Sequence, residues 1–266
     1  MTAEWDFSLT ERFFNISPGG ASEPSFQMPA SDWLLPSEAF LALHTAGRMY
    51  KAIGLTLPVS FAGITLFNLV FTKLLFLAKY DRLLDLDLGN LDFQLGIRNG
   101  YVYLGYRIRE VRFAELPDSG REGVLEEHWR AYFADQINPA IGTMTAGAGV
   151  KPDLIWNQFG GRLAAMREYM AETESDTAFT DRLDRESEVL KERLSPEAFG
   201  RRKNPFHHRP RYVDNPWKPG GETMLRSACC MYDCREGGEK CYNCPRLTPE
   251  ERERMKETIL AAAAQR

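Results

Sequence analysis

Outside residues 229–244 the chain has no cysteine at all. That excludes a disulfide framework and points to a reducing compartment. No Gly-x-Gly-x-x-Gly follows a strand-like run, and there is no phosphate-binding Gly-x-x-x-x-Gly-Lys-Ser/Thr loop or Gly-x-Ser-x-Gly elbow. A nicotinamide dinucleotide held by the usual glycine fingerprint is therefore not expected, nor is a phosphate-loop nucleotidase or an α/β-hydrolase nucleophile. Charge of one sign is also lacking: 33 Lys and Arg against 37 Asp and Glu leave a net charge of −4, which gives no whole-chain case for nucleic-acid binding. The N-terminal Met-Thr-Ala-Glu-Trp-Asp has an early acid and no basic stretch leading into an apolar run, so no secretory signal is expected and the expected location is cytoplasmic. There are no internal repeats.

One long uncharged run is present, between Lys51 and Lys73, rich in Phe61, Ile64, Leu66, Phe67, Leu69, Val70 and Phe71. A membrane span needs about 20 predominantly apolar residues. Gly54, Pro58, Gly63, Asn68 and several Ser and Thr interrupt this one, so it reads as a buried core helix, with peripheral membrane association as the alternative. With 44% hydrophobic and 26% charged residues, the 266-residue chain has the composition of a globular protein of one large or two small domains.

Periodicity predicts an α+β fold, mainly helical, with a small antiparallel sheet at about 84–113, a helical bundle, and a C-terminal loop plus helix. Residues 1–35, rich in Ser, Pro and Gly, read as a loosely ordered lead-in, 36–200 as the mainly helical body and 201–266 as a basic segment followed by the cysteine region. Helical spacing covers 37–53 and about 58–80. The alternation Leu84-Asp85-Leu86-Asp87-Leu88, broken at Gly89-Asn90 and resumed in Leu91-Asp92-Phe93-Gln94-Leu95, predicts a hairpin, with a third strand from Tyr101 to Phe113 carrying Arg107, Arg109 and Arg112. Further helices are expected over 121–137, from Pro152 to about Ala171, and up to Leu194 after a polar, acidic stretch. Thr248-Pro249-Glu250-Glu251 is a capping-box start for a terminal helix.

The concentrated chemistry lies in Cys229-Cys230, ten residues, Cys241, two residues, Cys244. Four thiolates this close suit a soft metal or a cluster. Cys241-x-x-Cys244 lets both sulfurs reach one metal. The adjacent pair requires a turn, because neighbouring side chains in extended backbone point to opposite faces. A zinc ribbon would use Cys-x-x-Cys at both ends, so the pattern leans toward a cluster and leaves zinc open. The fifth cysteine, Cys234, reads as a bystander thiol.

The string Arg226-Ser227-Ala228-Cys229-Cys230-Met231-Tyr232, with Cys241-Tyr242-Asn243-Cys244-Pro245, resembles the C-terminal signature of the FhuF-type ferric-siderophore reductases, residue for residue in spacing. Upstream, Leu154-Ile155-Trp156-Asn157 resembles that family's Leu-Trp-Gly-Asn segment, with Gln158 breaking the pattern. Asn204-Pro205-Phe206 and Tyr212-Val213 resemble its approach to the cysteines. The resemblance implies that Cys229, Cys230, Cys241 and Cys244 ligate one [2Fe–2S] cluster. It also implies an enzyme, an oxidoreductase passing one electron to the Fe(III) of a siderophore; because the chain lacks a dinucleotide fingerprint, the expected electron donor is a partner, a ferredoxin or a flavin reductase.

The basic run Arg201, Arg202, Lys203, Arg209, Arg211 and Lys218 suits either an anionic ferric chelate or an acidic donor protein beside the cluster, or else is a solvated loop balancing the acidic stretch before it. Arg226, by its place in the motif, joins Arg201, Arg202, Lys203, Arg209 and Arg211 as a candidate substrate contact, and the strand face of Arg107, Arg109 and Arg112 is a candidate cleft wall. His207 and His208 are not needed as ligands once four cysteines are present. His44, His128, Trp156 and the Tyr101, Tyr103, Tyr106 set read as packing residues, and Asp85 and Asp87 as an exposed pair. Two other classes remain compatible with the cysteines: a structural Cys₄ zinc protein, and an iron or redox sensor.

Overall fold

A computed structural model describes residues 5–264, so the first four residues of the segment read as lacking a secretory signal lie outside it. The fold is α+β and mainly helical. Eight helices carry it: α1 (Ser8–Phe14), α2 (Pro36–Tyr50), α3 (Thr56–Tyr80), α4 (Arg121–Tyr132), α5 (Asn138–Gly147), α6 (Asp153–Thr173), α7 (Thr177–Glu188) and α8 (Pro249–Ala264). A π-helical turn, Phe133–Ile137, joins α4 to α5. The strands are β1 (Ile16–Ser17), β2 (Phe26–Pro29), β3 (Arg82–Leu84), β4 (Leu91–Arg98), β5 (Tyr101–Ile108), β6 (Phe113–Glu115), β7 (Tyr212–Asp214) and β8 (Glu222–Met224).

Helix α3 is the centre of the molecule. It packs against α2, α6 and α7, and nearly every side chain from Leu57 to Ala78 is buried. It is long and apolar enough to cross a membrane, yet 94% of its most apolar window lies inside the protein, as expected for a core helix. Lys73, its buried cation, donates to the Leu84 carbonyl at 2.8 Å and sits 4.5 Å above the Tyr132 ring, so its charge is spent on polar and aromatic partners.

The main sheet is mixed, in the order β1-β5-β4-β2, with β1 parallel to β5 and the other pairs antiparallel. Two expectations change here. The hairpin is β4–β5, turning at Asn99-Gly100, and not the Leu84–Leu95 hairpin turning at Gly89-Asn90. Asn99 (φ 52) and Gly100 (φ 79) both adopt left-handed backbone, as a two-residue hairpin turn matching strand twist requires. Leu86 is buried from irregular backbone and Leu88 from a 3-10 turn, while β3 pairs instead with β6. Residues 5–35 are also not loose: β1 and β2 flank the hairpin, and Ile16, Met28, Ala30 and Trp33 enter the core.

The C-terminal region carries the small β7–β8 ribbon, the cysteine loop and α8. Thr248 and Glu251 form the expected capping box, the Thr248 amide donating to Glu251 at 2.8 Å and the Glu251 amide to the Thr248 hydroxyl at 3.1 Å.

Candidate metal centre

The cysteine segment is seated directly on α6. Ser227 donates to the Asn157 carbonyl at 2.6 Å. Two successive glycines make this approach feasible. A Cβ on Gly161 would lie 2.4 Å from Ser227 Oγ and 2.6 Å from its Cβ, and one on Gly160 would lie 2.7 Å from the Pro205 carbonyl oxygen. The Leu154–Asn157 segment, the Asn204–Phe206 segment and the cysteine motif thus meet at one place on one helix. Asn204 is buried and donates to the carbonyls of Leu190, Lys191 and Leu194, which fixes the start of the basic segment.

On its other side the loop is stitched to the end of α2. The Ile53 amide donates to the Cys234 carbonyl, the Glu236 amide donates to the Lys51 carbonyl, and Ala52 pairs with Arg235. Tyr232 faces Phe61 of α3 at 5.8 Å, with the Arg235 guanidinium 4.0 Å from its ring centre. From the C-terminal side, Arg252 of α8 reaches back to the carbonyls of Tyr242 and Cys244.

The turn demanded by adjacent cysteines is present. Met231 takes a left-handed conformation (φ 60), and the Cys234 amide donates to the Met231 carbonyl at 2.9 Å. A non-glycine residue there costs on the order of 1 kcal/mol, and such strain clusters at functional sites. The chain reversal sends the neighbouring sulfurs to different partners. Cys229 Sγ lies 3.6 Å from Cys244 Sγ, while Cys230 and Cys241 act on one another's protonation. Two thiolates bound at about 2.3 Å to one tetrahedral metal stand roughly 3.8 Å apart, so the Cys229–Cys244 spacing fits a shared metal. Among the described residues no group of three or more His, Cys, Asp or Glu side chains is placed to hold one ion.

The electrostatics separate the two pairs. The Cys230 thiol pKa is lowered, first by Cys241 and, against the effect of burial, by Arg226, the Tyr232 amide and Arg162. Burial pushes the Cys229 thiol up to about 11, against the Met231 amide that donates to it at 3.4 Å. Arg246 approaches Cys229 Sγ at 3.9 Å and Asp233 at 3.7 Å. A metal entering either pair would displace the thiol protons. Cys234 stands apart, packed against the core, with its thiol pKa raised by burial.

Two clefts flank the motif, with Gly161 and Ser227 in the wall of both. The larger, about 910 Å³, is lined by Arg201, Arg202, Lys203, His207 and His208. Of these, Arg201 is paired with Asp153, whereas Arg202 and Lys203 have no ion-pair partner among the described residues. The smaller, about 230 Å³, is lined by Arg162, Arg226, Gln158, Asn243 and Met224. The Arg226 backbone amide and guanidinium both engage Asn243, at 3.0 and 3.3 Å, which holds it beside the Cys241–Cys244 turn. Arg209 and Arg211 are exposed and line neither cleft.

The strand arginines do not form a cleft wall. Arg107 and Arg109 clamp the buried carboxylate of Asp92, and Arg112 pairs with Asp85 at 2.7 Å, so their charges are already matched within the sheet region. Asp85 and Asp87 both leave regular strand: Asp87 is exposed as expected, but Asp85 is partly buried and engaged by Arg112. Trp156, Tyr106 and Tyr103 are buried as packing residues, but Tyr101 is 75% exposed. Sequence reasoning missed Arg162, Arg246 and Arg252. The one available signal was the Gly160-Gly161 pair, which marks a close approach on α6 immediately before Arg162. No family model matches the chain, and no curated protein matches it.

Proposed function

We propose that this chain is a cytoplasmic ferric-siderophore reductase of the FhuF-like type, with Cys229, Cys230, Cys241 and Cys244 holding a [2Fe–2S] cluster. The observation that carries the reading is the sorting of the four cysteines into the pairs Cys229–Cys244 and Cys230–Cys241. It supports two ligands per iron, whereas the structural zinc alternative requires all four sulfurs on one ion. When bound, the cluster supplies one-electron transfer, the chemistry that takes chelated Fe(III) to Fe(II).

The chain's own residues bind and shield. Hydroxamate and catecholate oxygens are hard, anionic donors that hold Fe(III) far more tightly than Fe(II), so reduction loosens the metal. Arg202 and Lys203 offer unmatched positive charge in a cleft whose volume falls within the roughly 300–1,000 Å³ of small-molecule sites. Arginine presents a fork suited to paired oxygens. Arg201, engaged by Asp153, shapes that wall more than it supplies charge. Ser227 and Gly161 separate this cleft from the second, so a chelate seated there lies two residues along the chain from Cys229. With no dinucleotide fingerprint in the sequence, the electron comes from a partner protein, a ferredoxin or a flavin reductase.

Replacing Cys230 or Cys241 by Ser tests the assignment. Each variant is expected to lose the visible absorption and ferric-chelate reduction together. Full reductase activity in either variant would sink the reading. A coloured wild type that fails to turn over ferric chelates would favour the sensor alternative.

A further inference from the structure

A third cleft, about 350 Å³, runs along the open edge of β5 and shares no lining residue with the two that flank the cysteine motif. Its volume lies at the low end of the roughly 300–1,000 Å³ of small-molecule sites. Strand β1 is two residues long and covers β5 only at Tyr106 and Arg107, which leaves Tyr101–Leu104 without a partner strand on that side. The Tyr106 amide donates across this edge to the Asn15 carbonyl at 2.8 Å. Backbone groups face the same edge at every second residue, so Leu104 and Val102 face it too. Their carbonyls accept from the Asn15 side-chain amide and the Tyr50 hydroxyl, both at 3.4 Å, but their own amides find no acceptor among the described residues.

Charge adds to these donors. Arg12 of α1 and Arg98 of β4 line the cleft, and neither meets a carboxylate among the described residues. Each has only an aromatic ring, Phe13 at 5.2 Å for Arg12 and Tyr103 at 5.1 Å for Arg98. Farther along the hairpin, by contrast, Arg107 and Arg109 are both matched by Asp92. The opposite wall is one stripe of α3, with Phe61, Ile64, Thr65 and Asn68 at helical spacing. Thr65 is satisfied by the Ala62 carbonyl and the Tyr106 hydroxyl. Asn68, one turn later, is only 7% exposed, and its Oδ1 has no hydrogen-bond partner. A buried acceptor left unpaired is costly, and a donor on a ligand in this cleft relieves that cost.

We propose that this cleft binds a small organic acid, a carboxylate with an apolar or aromatic body and a hydroxyl group. Arg12, Arg98 and the Val102 and Leu104 amides are the donors for the carboxylate, the guanidinium fork suiting its paired oxygens. Phe61, Ile64 and Tyr101 cover the body of the ligand, and Asn68 Oδ1 accepts from its hydroxyl. The assignment is independent of the cluster reading, because none of these residues belongs to the cysteine region.

The test is a calorimetric titration of the full-length protein with meta- and para-hydroxybenzoate, benzoate and inorganic phosphate. Saturable binding of a hydroxybenzoate is expected, tighter than that of benzoate or phosphate. Arg12→Gln and Arg98→Gln, both at exposed positions that the fold tolerates, are each expected to weaken it about tenfold through loss of a charge-assisted hydrogen bond. Asn68→Leu removes the unpaired oxygen at similar volume, and is expected to bring the hydroxybenzoate down to the affinity of benzoate while leaving benzoate unchanged. Arg202→Gln, in the larger cleft, controls for anions captured there and is expected to leave the binding as it is. The proposal is overturned if no benzoate binds, or if phosphate binds as tightly as the benzoates. It is overturned equally if Arg202→Gln abolishes the binding while Arg12→Gln and Arg98→Gln keep it, or if a folded Asn68→Leu protein still prefers the hydroxybenzoate.

Discussion

Asp92 gathers two guanidinium groups onto one carboxylate that is 4% exposed: Arg107 reaches Oδ2 at 2.5 Å, and Arg109 reaches Oδ1 at 2.6 Å. Burial opposes its charge, but the hydrogen bonds from Arg109 and Arg107 outweigh burial and hold its pKa below the usual carboxylate range. Removing one partner of a fully buried pair costs about 3–5 kcal/mol. Both arginines here keep about 40% exposure, so Asp92→Asn is expected to cost about 2 kcal/mol in urea denaturation at pH 7. A carboxylate whose folded pKa is depressed stabilises the fold above its unfolded pKa of about 4 and loses that contribution as pH falls through the lower folded value. The gap between wild type and Asp92→Asn therefore narrows below about pH 4, and a gap independent of pH would refute this account. The alternation that put Arg107 and Arg109 on one face was legible in the sequence, but the carboxylate across the hairpin was not. Recognising it requires the β4–β5 register, which depends on placing the turn at Asn99-Gly100.

At the scale of elements, α6 aligns the site through its glycine pair. Gly161→Ala is expected to push Ser227 off the helix, because the new methyl overlaps the Ser227 side chain and backbone, not a flexible tip. Overpacking of this kind costs about 1–3 kcal/mol. The specific signature is easier proteolysis within 201–228 while the hydrophobic body keeps its helical content, and equal protection of that segment in the variant would count against the seating described. The long helices were legible because their apolar spacing matches their buried faces: Ile155, Phe159, Leu163 and Met170 of α6 are all buried as the periodicity requires. The short strands were not. Leu84–Leu88 alternates like a strand, yet Leu86 reaches the core from irregular backbone and Leu88 from a 3-10 turn, and two-residue β1 carries too little sequence to show a period. The cysteine motif was legible as chemistry, whereas its neighbours Arg162 and Arg252 were invisible because they come from helices distant in sequence.

Across the whole molecule, the cysteine loop is fastened on three sides: Ser227 to α6, Cys234 and Glu236 to the end of α2, and the Cys241–Cys244 turn to Arg252 of α8. Helix α8 buries none of its own side chains, so its attachment rests on Arg252, on Lys256 with Asp214 at 2.7 Å, and on Lys240 with Glu251 at 3.3 Å. Such an element gains its place from what it holds, which makes the cysteine loop and the C-terminal helix mutually dependent. The most direct test of the central claim is anaerobic purification of the full chain, followed by a visible spectrum and assays for iron, acid-labile sulfide and zinc. The account predicts a brown protein with about two irons and two sulfides per chain, whereas a colourless protein carrying zinc would contradict it.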